Sequence, residues 1–204
     1  MCHISHVPHV RDMTMRIDIA ELSGRDLLAG ATLGRQVCHD MLSKVVSEPR
    51  CAELIYLDFA NVKLATASFL RECVLEFKRV LRKNKSRFYP VVANMTDDLR
   101  EELQEVAYAR QDAIILCWWH RPNNDFQWAL IGELDPKQIL TFDLVHDAGE
   151  TDAKTLMLSY GEQEGTTRTT AWNNRLSSLE KLGLLISEET GRAKKYRPIF
   201  ERGA

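Results

Sequence analysis

The first two thirds of the chain alternate short apolar segments with segments whose apolar residues recur at helical spacing. Strand-type segments lie at 14–22, 53–59, 88–93, 113–119 and 127–134. Helical periodicity occupies 30–47, 66–83 and the stretch after Thr96. Strands that alternate with helices are typical of an α/β domain, so the sequence predicts a sheet that is at least partly parallel.

Local residues refine this domain. Pro90 has no N–H, which favours an edge or irregular position for strand 88–93. Thr96, with two acids after it, is typical of a helix N-terminus. The alternation ends near Asp135, so we predict an α/β domain over 14–134 that follows a flexible extension over 1–13.

The extension and the cysteines bear on cofactors and compartment. Cys2, His3, His6 and His9 are side chains of kinds that bind zinc or copper, but Pro8 opposes a helix that would align them. We therefore predict no metal and no other cofactor. The five cysteines include no Cys-x-x-Cys pair, which indicates reduced thiols and a cytoplasmic protein. No apolar run has the length of a membrane span, and no signal peptide is recognisable.

The pattern changes after residue 134. Asp135-Pro136 is typical of a helix start, Thr151 is expected to cap a second helix, and a third is expected to begin near Thr167 or Arg168. Two strand-type segments follow, with a turn expected at Thr190-Gly191. Three short helices and a hairpin predict a small α+β domain over 135–204.

The third helix has one apolar face and one polar face. Asn side chains can pair with adenine edges, and Ser and Thr hydroxyls reach bases or phosphates. Residues 165–202 contain eight Lys or Arg and four Glu, although the whole chain has a net charge of −2. Such a basic cluster neutralises DNA phosphates. The candidate DNA-binding residues of the helix and hairpin are Arg168, Thr169, Thr170, Asn173, Asn174, Ser177, Lys181, Arg192, Lys194, Lys195 and Arg197.

The segment TTAWNNRLSSLEKLGLLISEETGRAKKYRPI resembles the recognition helix and wing of bacterial winged-helix regulators. The resemblance covers roughly 136–200 and rests on Leu179, Leu182–Leu185 and Tyr196-Arg197-Pro198. It implies that the third helix enters the major groove while the wing lies along the backbone or minor groove. By the same analogy a homodimer is expected. The alternative is a winged helix that serves protein contacts.

The segment IYLDFANVKLATASFLRECVLEF resembles the STAS-like family, relatives of the anti-sigma factor antagonists, over about 14–120. Leu57-Asp58-Phe59, Val62 and Thr66–Leu70 carry the resemblance. It implies a mixed sheet with helices, and a domain for sensing, partner binding or dimerisation. Ser68 falls on the position that a partner kinase phosphorylates in that family, where added negative charge suits a helix N-terminus. The alternative role of Ser68 is that of a helix cap or first-turn residue.

Three further features are less specific. The stretch 71–87 has seven basic and two acidic residues, which suits either a nucleic-acid or acidic partner or a solvated helix face. Trp118-Trp119 is typical of a core or interface, with a stacking site as the alternative. Asp58 ends an inner strand without a partner base. Since no nucleotide-binding, HExxH or GxSxG motif is present, we predict that the chain is not an enzyme.

Together these patterns predict a transcriptional regulator whose winged helix binds double-stranded DNA. The STAS-like domain would then sense a signal, bind a partner protein or dimerise. The alternative is a partner-switching protein whose STAS-like domain binds a kinase or other regulator, without DNA binding.

Overall fold

The computed structural model describes residues 15–119, 127–191 and 193–200. These residues form two compact units, and the division falls between Glu133 and Leu134. The extension 1–13, with its candidate ligands Cys2, His3, His6 and His9, lies outside the described residues, as does the candidate wing residue Arg192.

The first unit is built on a five-stranded sheet. The strands of the whole unit, including two outside this sheet, are β1 (Met15–Asp18), β2 (Leu27–Leu28), β3 (Glu53–Asp58), β4 (Leu64–Ala65), β5 (Phe88–Ala93), β6 (Ala113–Trp118) and β7 (Gln127–Gly132). The main sheet has the order β1-β3-β5-β6-β7, while β2 and β4 form a small parallel pair. The first four strands of the main sheet are parallel, and β7 is antiparallel to β6. The predicted α/β class with a partly parallel sheet is confirmed.

Helices connect these strands. They are α1 (Ile19–Ser23), α2 (Ala31–Lys44), α3 (Ala67–Leu70), α4 (Glu76–Lys83) and α5 (Asp97–Ala109), with a π-helical turn, Arg71–Leu75, between α3 and α4. Helix α2 packs against α3, the π turn and α4, while α5 packs against β6 and β7. The predicted cap Thr96 is confirmed, because its hydroxyl accepts the N–H of Leu99 at 3.4 Å.

The close packing of α2 depends on a glycine. A Cβ atom at Gly34 would lie 2.8 Å from the carbonyl oxygen of Phe69, so a larger side chain would push α2 away from α3.

Three of the cysteines, Cys38, Cys73 and Cys117, are buried free thiols. Cys51 is disulfide-bonded, so the expectation of reduced thiols is wrong at this position.

Two local predictions in this unit are wrong. The strand expected over 14–22 ends at Asp18, because the Asp18 carboxylate accepts the N–H of Glu21 at 2.9 Å and starts α1. Of the two alternatives predicted for Pro90, the edge position is wrong, since β5 is between β3 and β6. The ladder between β5 and β6 pairs only from Val92 onward, so the missing N–H of the proline does not interrupt it.

The second unit contains the predicted three helices and hairpin. They are α6 (Pro136–Ala148), α7 (Ala153–Tyr160), α8 (Thr169–Lys181), β8 (Leu185–Thr190) and β9 (Ala193–Pro198). Asp135 and Gln138 form a capping box at the start of α6. The prediction that Thr151 caps α7 is wrong, because Asp152 is the cap. The backbone of Thr151 instead forms two hydrogen bonds with that of Tyr196, with nitrogen-to-oxygen distances of 2.8 and 2.9 Å.

One ion pair is buried in the first unit. The side chain of Lys78 is 4% exposed, and its ammonium donates to the Asp112 carboxylate and, at 2.5 Å, to the carbonyl of Ala113. Burial lowers the pKa of Lys78, and Asp112 opposes that shift by favouring the charged amine. The two residues are partners because Asp112 immediately precedes β6 and α4 passes beside it.

Breaking this pair should destabilise the fold. We expect Asp112→Ala to lower the free energy of unfolding by about 3 kcal/mol, because it leaves a buried ammonium without its counter-ion. Lys78→Met should cost less, since it keeps the apolar stem and leaves Asp112, 21% exposed, in contact with water. Urea denaturation measures both, and equal losses would contradict the assignment.

Candidate nucleic-acid interface

The orientation of α8 is fixed by its apolar face. Trp172, Leu176 and Leu179 are fully buried at 0% exposure. The indole N–H of Trp172 donates to the carbonyl of Thr166 at 2.9 Å, which ties the helix to the loop before it. Arg175 strengthens the same connection, because its guanidinium lies over the Trp172 ring at 4.6 Å and donates to the Thr166 hydroxyl. Arg175 therefore braces this loop.

The opposite face of α8 is polar. Five of the candidate residues fall within an arc of about 100° on the helix, and all but the half-buried Ser177 are exposed: Thr170, Asn173, Asn174, Ser177 and Lys181. From Thr170 to Lys181 the helix rises about 16 Å, roughly the length of five base pairs. All of α8 is described, and no acidic residue lies on this arc. We call these five residues the polar arc.

The other two helix candidates lie at the start of α8 and differ in their surroundings. Arg168 is exposed in the N-cap position, with an extended backbone. The hydroxyl of Thr169, in contrast, lies 3.1 Å from the sulfur of Met157 in α7. Arg168 therefore extends the polar surface, whereas Thr169 serves the packing of α8 against α7.

The one acidic residue of α8 faces the hairpin. The Glu180 carboxylate accepts hydrogen bonds from the Ser187 hydroxyl at 2.6 Å and from the Lys194 ammonium at 2.7 Å. The Lys194 ammonium also lies over the Tyr196 ring, 5.3 Å from its centroid. These contacts join both strands of the hairpin to the helix and remove the Glu180 charge from the polar arc.

The hairpin cations that the structure describes are paired within the unit. Besides the pair of Lys194 with Glu180, Lys195 lies 2.6 Å from Glu150 and Arg197 lies 3.3 Å from Glu188. The hydrogen bond to Glu150 raises the pKa of Lys195, which keeps its ammonium charged. Glu150 is 45 positions from Lys195 along the chain, so the partner of this cation is not evident from the sequence around the hairpin.

The charge of the second unit is correspondingly balanced. Residues 134–204 contain ten Lys or Arg and eleven Asp or Glu, a net charge of −1. The positive charge found over 165–202 is thus offset by acids on the earlier helices and loops. Any attraction for phosphate is local to α8 and the hairpin.

Ser68 is placed as a first-turn residue in the first unit. Its hydroxyl lies 3.1 Å from that of Thr66, the N-cap of α3. The N–H of Ala67 donates to the Glu102 carboxylate at 2.8 Å, so a side-chain anion already occupies this helix start. A phosphate on Ser68 would lie near the like charge of Glu102, and the geometry therefore favours the role of a first-turn residue.

Asp58 has partners that the sequence analysis missed. Its carboxylate is 0% exposed and accepts from Arg16 at 2.6 Å, Asn94 at 2.9 Å and the N–H of Ala60 at 3.0 Å. The side-chain oxygen of Asn94 in turn accepts the N–H of Trp119. With its oxygens held by donors from β1 and from the segment after β5, Asp58 links the carboxyl ends of the strands.

The basic stretch 71–87 does not form one free surface. Arg71 and Arg79 pair with neighbouring glutamates, and Lys78 is buried. Arg82 stacks on Tyr89 with its guanidinium 3.9 Å from the ring centroid.

Trp118 and Trp119 contact residues of the first unit. The indole N–H of Trp118 donates to the carbonyl of Met95 at 3.1 Å, and the ring of Trp119 packs edge to face against Tyr56.

Within the described ranges, no group of three or more His, Cys, Asp or Glu residues is arranged to hold a metal ion. No helix in the part of the chain that the structure describes is long and apolar enough to cross a bilayer. No known family model matches the chain, and no curated protein sequence matches it.

Removing the contact between helix and hairpin should loosen the hairpin. We expect Glu180→Ala to lower the free energy of unfolding by about 1 kcal/mol, because two half-buried hydrogen bonds are lost. Amide hydrogen exchange in β8 and β9 should accelerate. Glu189→Ala is the matched control, since Glu189 is an exposed residue of β8 whose side chain has no hydrogen bond or ion pair among the described residues. Equal exchange rates in the two variants would contradict the role of Glu180 in holding the hairpin to α8.

Proposed function

We propose that this protein is a DNA-binding transcriptional regulator and that its second unit is a winged helix-turn-helix module. In this proposal α8 enters the major groove and its polar arc contacts base edges. The observation that carries the proposal is the polar arc itself, which is groove-sized, exposed and without an acidic residue. Its two asparagines are side chains suited to adenine, and Lys181 and Arg168 are suited to phosphate or guanine.

The hairpin acts as the wing in this proposal. The Glu180 contacts hold it beside α8, so that a groove-bound helix would bring β8 and β9 near the DNA backbone. Lys195 and Glu150 are each more than 40% exposed, and exposed ion pairs contribute little to stability. A phosphate can therefore replace Glu150 at small cost, whereas Lys194 keeps its role in holding the hairpin to α8.

For the first unit we propose a STAS-like domain that senses a signal, binds a partner protein or pairs two subunits. The parallel strands and the Asp58 cluster at their carboxyl ends are compatible with such a domain. We do not propose an enzyme, because the Asp58 carboxylate is engaged by Arg16 and Asn94.

One observation favours the alternative function. The described hairpin cations are paired with carboxylates, and the second unit has a net charge of −1. This arrangement also suits a partner-switching protein in which the winged helix supports protein contacts. DNA binding decides between the two, because only the regulator requires it.

The electrostatic contribution can be measured with a random-sequence duplex. We expect binding that weakens steeply with salt, and expect Lys181→Ala and Arg168→Ala each to reduce the slope of log affinity against log salt by about one. Lys137→Ala, an exposed lysine at the start of α6, is the control and should leave the slope unchanged. Fluorescence anisotropy at several salt concentrations provides the data. Absence of binding by the intact chain at low salt would favour the partner-switching alternative.

The base-contacting role can be measured with duplexes selected from a random pool. We expect Asn173→Ala and Asn174→Ala to reduce discrimination between selected and random DNA by about 1 to 3 kcal/mol, because each removes one bidentate contact. Affinity for random DNA should change little. If both variants lose equal affinity for selected and random duplexes, the asparagines do not contact bases.

A further inference from the structure

A small charged cavity lies in the first unit, next to the buried pair of Lys78 and Asp112. Its volume is about 230 Å³, and it is lined by residues of the helical segment 71–79 and of the turn that joins α5 to β6. This volume is below the range of about 300 to 1,000 Å³ found for drug-sized ligands. The cavity therefore suits a ligand of a few atoms.

The backbone that forms the cavity is irregular on both sides. One wall includes the π-helical turn Arg71–Leu75, and π turns within helices occur frequently at functional sites. The other wall includes Gln111, whose φ of 51° is in the left-handed region that non-glycine residues seldom adopt. The side chains of Arg71, Arg79 and Arg110 line the same cavity.

The charges around the cavity favour an anion. The carboxylates are already engaged: Glu72 by Arg71 at 2.9 Å, Glu76 by Arg79 at 2.5 Å, and Asp112 by Lys78. The hydrogen bond from Arg79 lowers the pKa of Glu76, so that pair stays charged at neutral pH.

Arg110 differs from these residues. Its exposed side chain makes no hydrogen bond or ion pair with another described residue. Its guanidinium therefore keeps donors available at the edge of the cavity. A guanidinium offers parallel N–H groups that match two oxygens of a carboxylate or phosphate.

We propose that this cavity binds a small oxyanion, a phosphate or carboxylate group, through the guanidinium of Arg110 with Arg79 and Arg71 beside it. Arg110 supplies the primary contact because its donors are not engaged, whereas the other two arginines share theirs with glutamates. The site belongs to the first unit alone. It stands whether or not the second unit binds DNA.

Isothermal titration calorimetry on the full chain tests this site. Inorganic phosphate and acetate are titrated separately, with sodium chloride holding the ionic strength constant. We expect saturable binding of at least one anion at one site per chain, and the anion that binds more tightly identifies the class of ligand. Arg110→Gln should weaken the affinity at least tenfold.

The control is Arg100→Gln. Arg100 lies on α5 outside the cavity, next to Asp97 at 3.6 Å, and its replacement should change the affinity by less than twofold. Circular dichroism checks that both variants are folded, as expected for exposed or half-exposed side chains. Absence of saturable binding of either anion, or equal weakening in both variants, would overturn the proposal.

Discussion

The burial of Trp172, Leu176 and Leu179 determines which side of α8 meets the solvent. Three large side chains without exposed surface anchor the helix, and rotation about its axis would expose them at a cost of several kcal/mol. The polar arc lies opposite this face for the same reason. Trp172 and Arg175 extend the constraint to the loop before the helix, through Thr166. The candidate interface is thus the geometric complement of the core of the second unit.

Charge in the second unit is organised by pairs. Glu180 is turned away from the polar arc and holds Lys194 and Ser187, so one carboxylate both clears the helix surface and fixes the hairpin. Lys195 and Arg197 are balanced by Glu150 and Glu188. In the proposed function a phosphate would have to compete with these carboxylates, and it would compete best where the pair is exposed and solvent already screens the attraction. The distribution of partners consequently matters more than the count of basic residues.

Charged side chains are also paired in the first unit, where they are more deeply buried. Asp58 and Lys78 are charged groups within or beside the sheet, and each is held by donors or acceptors from distant segments. Burial of a charge is tolerated only when such partners are present. Glu102 provides another example, since it places a carboxylate at the start of α3 beside Ser68. These contacts explain why residues that looked like functional candidates have structural partners.

The sequence by itself determined the features that depend on neighbours along the chain. Helical and strand periodicity located the main elements, Thr96 and the Asp135-Pro136 pair marked helix starts, and the two faces of α8 followed from its residue spacing, because these effects act within about four positions. Only the tertiary structure decided the place of Pro90 inside the sheet, the pairing of Thr151 with Tyr196 and the partners of Asp58, Lys78 and Lys195. The charged groups Asp58, Lys78 and Lys195 have partners that lie 34 to 45 positions away along the chain. Periodicity and capping patterns carry no information about which distant segments the fold brings together.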